Sequence, residues 1–198
     1  MEINGDMLKF NSDLRSDARE QLKGKWGGGI LACLVFGILT GASSGAAGVG
    51  ALIIGGPMEL GLATYFLLLS GRKDPQLEHL FRGFRTFESS LVLYLVRTVY
   101  VVLWSLLFVI PGIVAVLRYS MAIYVLHDNP ELSGMEALNR SKEMMDGLKG
   151  KLFGLYLSFL GWAILCLFTL GIGYLWLFPY MKATEANFYE DLKNAQKQ

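Results

Sequence analysis

Four ionisable residues stand where ionisable residues are rare. Glu59, Arg97, Arg118 and Lys182 each fall inside an otherwise apolar run. A charge at the centre of a bilayer costs about 2.5–3.5 kcal/mol on insertion scales, so it turns toward protein or water and marks a site. Two chemistries suit this set. Three cations around one carboxylate can line a ligand-binding site for an anionic lipid head group or a small anion. In the other arrangement Arg97 and Arg118 extend to the two interfaces, while Glu59 and Lys182 pair internally. Glu185, three residues after Lys182, is a partner within reach on a helix. The sequence leaves both open.

Residues suited to catalysis do not cluster. His79 and His127 are single and far apart, and Ser43 and Ser44 have no histidine near them in sequence. Cys33 and Cys166 lie in separate apolar runs without ligand spacing, as small core residues do. "WGGGI" lacks the lysine and hydroxyl residue of a phosphate loop, and "LGIGY" is a tight turn. The expectation is no enzyme, no catalytic residue, no metal and no cofactor.

The elements that must position the four charges are apolar segments. The chain of 198 residues is 53% hydrophobic and only 18% charged, against about 25% charged for a soluble domain. Charge is nearly absent from six stretches: Trp26 to about Thr40, about Gly50 to Ser70, Ser89 to Val109, Ile113 to about Leu126, Lys151 to Leu170, and Tyr174 to about Tyr189. A membrane helix needs about 20 such residues. Pro111–Gly112 and the glycines at 171 and 173 separate neighbouring segments. Gly37, Gly41 and Gly45, spaced by four, suit close approach of helices. Residues 1–25 are polar and lack the apolar run of a secretory signal, which predicts that the first apolar segment stays in the protein.

Lysine and arginine are sorted by loop. Residues 1–25 hold five, 71–88 hold four, 128–151 hold four and the tail after Glu185 holds two. The connections near 41–50, 110–112 and 171–173 hold none. The positive-inside rule then places both termini in the cytoplasm of a multi-pass protein of the cell membrane. A net charge of +1 gives no reason to expect nucleic acid as a partner.

A unit recurs. "LKGK" occurs at 22–25 and again at 148–151, each time before an apolar run. Polar segments with helical periodicity precede the apolar pairs. Their apolar positions are Phe10, Leu14, Ala18, Leu22 and Trp26 in the first, Leu77, Leu80, Phe81, Phe84 and Phe87 in the second, and Met135, Leu138, Met145 and Leu148 in the third. Ser133 with Glu136 makes a capping box at the start of the third. The fold expected is all-α: a polytopic membrane helical bundle of six transmembrane helices, arranged as three pseudo-repeated hairpins, each preceded by a cytoplasmic amphipathic helix. It forms one domain over 1–198, with repeats near 1–71, 72–130 and 131–198.

The series "IPG…NP…EAL.RS..MM.G.K..LF", with "IGGPMELGL" at 54–62 and "QLKGKW" at 21–26, closely resembles the bacterial integral-membrane family termed domain of unknown function 975. The likeness covers nearly the whole chain. More distantly, Pro111 through Leu152 resembles the membrane region attached to some glycerophosphodiester phosphodiesterases, whose catalytic barrel has no counterpart here. The resemblance implies topology and transfers no site residues. The expected role is a non-enzymatic membrane component that binds lipid or a protein partner at its cytoplasmic face, with a homo-oligomer as a further expectation. The alternative is a small transporter or channel with a polar site between the repeats.

Overall fold

A computed structural model describes residues 5–42 and 49–196, and every regular element among them is helical. The order is α1 (Asn11–Leu22), α2 (Trp26–Ala42), α3 (Val49–Ser70), a 3-10 run (Leu77–Thr86), α4 (Phe87–Leu107), α5 (Val109–Tyr119), α6 (Ala122–Asp128), α7 (Gly134–Met144), α8 (Lys149–Leu157), α9 (Leu160–Phe168) and α10 (Tyr174–Ala195).

Leu14, Ala18 and Leu22 repeat every four residues on α1, and all three are fully buried. Gly24 then takes a left-handed conformation (φ 81°), and α2 leaves at 99° to α1. This turn lays α1 across the end of the bundle. The Ser133 hydroxyl accepts a hydrogen bond from the Glu136 amide, and the Glu136 carboxylate accepts one from the Ser133 amide, so the capping box opens α7 as its residues predict.

Burial is uneven along the bundle axis. Five consecutive residues of α6, Ala122 to Leu126, are buried, as is most of α10 beyond Pro179. These pack with α1, α7 and the second half of α3 into a dense end that also carries the polar segments. The opposite end is bare. Leu106, Phe108, Val109 and Ile110 at one turn, and Phe168, Leu170 and Ile172 at the next, are each at least 60% exposed. In water that much uncovered apolar area costs about 25 cal/mol per Å².

The tightest crossing joins α3 to the 3-10 run. A Cβ on Gly61 collides with the Leu80 carbonyl, and a Cβ on Gly83 collides with the Pro57 carbonyl. The backbones touch because both glycines lack a side chain. Gly37 and Gly41, by contrast, face open space, which corrects the expectation that their spacing marks a helix contact. Gly45, Ser43 and Ser44 lie outside the described residues.

Two further corrections concern local structure. The segment after Leu77 winds as a 3-10 helix, so its apolar residues do not form one buried stripe. Three residues per turn line up Phe81, Phe84 and Phe87 as a ladder with ring centroids 6.4 and 6.5 Å apart, and all three are exposed. Leu80 and Gly83 are buried instead, because they meet α3. Pro111 and Gly112 do not themselves form the break between the neighbouring segments. The break falls at extended Phe108, and Pro111 sits in the first turn of α5, where a missing N–H has no intrahelical partner to lose. Gly112 is instead a contact point, its Cα face lying on Ser105 of α4.

Four helical stretches are long and apolar enough to cross a membrane: Gly50–Ser70, Leu77–Leu107, Val109–Asp128 and Lys149–Phe168. The bent pair α1–α2 makes a fifth if it is one span. Helix α10 is not among them, because Lys182 and Glu185 and then Glu190, Asp191 and Lys193 interrupt its apolar stretch.

Candidate functional site

Three helices bring their charges to one place. Glu59 projects from α3 and Arg97 from α4, and their side chains meet through two parallel hydrogen bonds. Nη1 donates to Oε1 at 2.9 Å and Nη2 to Oε2 at 2.5 Å. This fork geometry is the strongest arrangement open to arginine and carboxylate. Each side chain is less than one-fifth exposed. The Arg97 guanidinium also lies 5.7 Å from the centre of the Tyr94 ring, one turn earlier on α4.

Lys182 of α10 pairs with Glu185, one turn on, at 2.9 Å. Tyr156 of α8 donates its hydroxyl to the other Glu185 oxygen at 3.1 Å. The two pairs border a cavity of about 330 Å³, completed by Thr98, Ser120 and a wall of valines from α4 and α5. Two cations face two carboxylates, so the site as a whole is neutral.

Three of the residues singled out in the sequence, Glu59, Arg97 and Lys182, therefore share one cavity. Arg118 does not join them. Val116 of α5 and Ser120, the residue just past its end, line the cavity, and Arg118, two residues from each, lies on the opposite face. Its backbone carbonyl accepts from Ser141 of α7 at 3.0 Å, and its Nε is buried without a partner. The arrangement also differs from the expected interface placement of the arginines. Arg97 is held by Glu59, and Arg118 rests against α7 at the polar end of the bundle.

Tyr156 was not legible as part of the site. Only the packing of α8 against the bundle brings its hydroxyl to Glu185. Glu185 carried a signal, its i+3 spacing from Lys182, though nothing in the sequence ranked it with the buried charges.

The other polar residues satisfy local needs. His127 Nδ1 lies 2.8 Å from the Thr64 hydroxyl, and His79 closes the start of the 3-10 run with Gln76. Among the described residues no group of three histidine, cysteine or acidic side chains is placed to hold a metal ion. Cys33 and Cys166 are both free thiols.

Long apolar helices, two of them (Leu77–Leu107 and Lys149–Phe168) scarcely covered by the chain's own side chains, around an interior that holds paired charges, define an all-helical protein with several segments able to cross a membrane. The chain belongs to the family described as protein of unknown function DUF975, whose sequence profile matches residues 7–117 and again residues 106–196. No curated protein and no solved structure matches it.

Proposed function

We propose that this chain is an integral protein of the cell membrane that binds lipid and has no enzymatic role of its own. One observation carries the reading: apolar exposure and charge occupy opposite ends. The turns at 106–110 and 168–172 present bare leucine, isoleucine, valine and phenylalanine, while α1, the turn from α7 into α8 and the end of α10 carry ion pairs. Lipid around the first end and water around the second satisfies both. The basic loops then face the cytoplasm with both termini, and partners reach the protein from that side or from the bilayer.

The six-span, three-hairpin arrangement is part of this proposal. It takes α2 and α10 as the first and last spans beside the four stretches that are long and apolar enough, with the ion pairs inside the bundle reducing the cost of burying Lys182 and Glu185. The distant likeness to the membrane region of glycerophosphodiester phosphodiesterases fits a lipid-facing module and brings no activity with it.

Topology is the test. In a variant with Cys33 and Cys166 replaced by serine, Glu131→Cys and Leu170→Cys each give one reporter thiol. A membrane-impermeant maleimide applied to intact cells should label position 170 and spare 131. Labelling of 131 alone, or recovery of the chain in the soluble fraction, rejects the proposal.

A second reading, a small transporter or channel, draws on the neutral polar cavity between the helices. Proteoliposomes carrying pH- and chloride-sensitive dyes test it. Proton or chloride flux that disappears in Lys182→Ala supports transport, and vesicles as tight as protein-free ones remove it.

A further inference from the structure

A second cavity, of about 530 Å³, opens where α1, α2, α9 and α10 meet. That volume lies within the roughly 300–1,000 Å³ typical of ligand clefts. Its two ends differ in chemistry. One end is formed by Arg15 and Arg19, one turn apart on the face of α1 beside its buried stripe. The rest is apolar, walled by Trp26, by Trp162 and Leu165 of α9, and by Trp176 of α10. Trp162, Leu165 and Trp176 are each about half exposed, so the wall opens outward from the bundle.

The two arginines are held but not neutralised. Arg15 donates through Nη1 to the Ser158 carbonyl at 3.3 Å, and its guanidinium lies 6.0 Å from the centre of the Phe159 ring. Arg19 stands 6.0 Å from the centre of the Tyr180 ring. Among the described residues neither pairs with a carboxylate, whereas Lys9, Lys25, Arg97, Lys149, Lys182 and Lys193 all do. Asp17, midway between the two arginines in sequence, is on the opposite face of the helix and is engaged by Lys9 at 2.8 Å. The Nε of Arg15 is buried with no hydrogen-bond partner, a donor left over beside the cavity.

We propose that this groove binds an anionic phospholipid, its phosphate held by Arg15 and Arg19 and one acyl chain laid between Trp162, Leu165 and Trp176. The inference rests on the reading of the chain as a membrane protein. The 99° turn between α1 and α2 puts the arginines level with the start of α2, at head-group depth, while α9 and α10 run from there toward the bare apolar turn. Planar guanidinium groups oriented by aromatic rings suit a phosphate with two or more oxygens exposed. An apolar wall half open to the outside suits a chain that enters sideways from the bilayer. A free anion gains nothing from that wall, and a neutral lipid leaves the two positive charges uncompensated.

Native mass spectrometry of the full chain in a neutral detergent tests this, with added phosphatidylglycerol, phosphatidylcholine of the same acyl chains, or inorganic phosphate. Phosphatidylglycerol should bind most tightly, and Arg15→Gln/Arg19→Gln should weaken it about tenfold or more while phosphatidylcholine is unchanged. Leu165→Trp, which fills the groove and leaves the charge in place, should weaken both lipids. A helical circular-dichroism spectrum matching the unaltered chain shows that each variant folds. Equal binding of the two lipids, no effect of the arginine substitutions, or phosphate binding as tight as phosphatidylglycerol overturns the site. Membrane fractionation of the unaltered chain separates the two levels of argument. Recovery in the soluble fraction rejects the membrane reading, and membrane recovery without head-group preference rejects this site alone.

Discussion

Arg97 and Glu59, 38 residues apart in sequence, lock α4 to α3 through a two-pronged ion pair, the shorter prong 2.5 Å. The pair borders a cavity whose other side holds Lys182 and Glu185. Each cation therefore has a local carboxylate, and the interior carries no net charge to draw in an anion. The anion site expected from the sequence required three cations against one carboxylate. Rotation of Arg118 to the far face of α5 and the arrival of Glu185 remove that excess.

Breaking this pair should be costly. Arg97→Ala leaves a carboxylate among apolar helices and should destabilise the detergent-solubilised protein by about 3 kcal/mol, the low end for buried pairs, since 18% of the Glu59 side chain still faces the cavity. The double variant Arg97→Ala/Glu59→Ala should lose less than the sum of the single losses. Thermal unfolding of all four proteins completes the cycle, and strictly additive losses reject the coupling.

The glycine crossing makes a sharper contrast. Gly61→Ala and Gly83→Ala each force α3 away from the 3-10 run and should cost at least about 3 kcal/mol, with sharply reduced membrane yield. Gly37→Ala adds a methyl group in open space on a helix and should stabilise by about 0.8–1 kcal/mol. Parallel melting curves decide the matter, and equal behaviour at the three positions argues against the crossing.

The capping box carries a pH signature. Hydrogen bonds from the Ser133 side chain and amide hold the Glu136 carboxyl below the usual glutamate range. A lowered folded-state value means stability that is fully present above the ordinary glutamate range and fades as pH falls through the lowered one. Melting temperatures of the unaltered chain should therefore drop on acidification more steeply than those of Glu136→Gln. Ser133→Ala should cost about 1 kcal/mol at neutral pH through the lost cap. Superimposable pH profiles for the two proteins count against the linkage.

Tyr156 gives the mildest expected change. Tyr156→Phe keeps the ring and removes the donor to Glu185, for a loss of about 1 kcal/mol. Lys182 still balances that carboxylate. A loss matching that of Arg97→Ala shows that the hydroxyl has a larger part in the site than one neutral donor.

By itself, the order of residues determined the solvent-facing logic of this protein. Long uncharged runs specify apolar helices, the four-residue spacing of Leu14, Ala18 and Leu22 specifies the buried face of α1, and Ser133 with Glu136 specifies where α7 starts. Each of these depends on neighbours within two turns, and such neighbours can be read from spacing alone. Tertiary structure decided which charges meet. Whether Arg97 reaches an interface or Glu59, whether Arg118 joins the cavity or lies on the face away from it, and whether Gly37 or Gly61 touches another helix all depend on how each helix is rotated about its axis. That rotation is set by contacts between segments distant in sequence, here the backbone crossing of α3 with the 3-10 run. No local pattern encodes it.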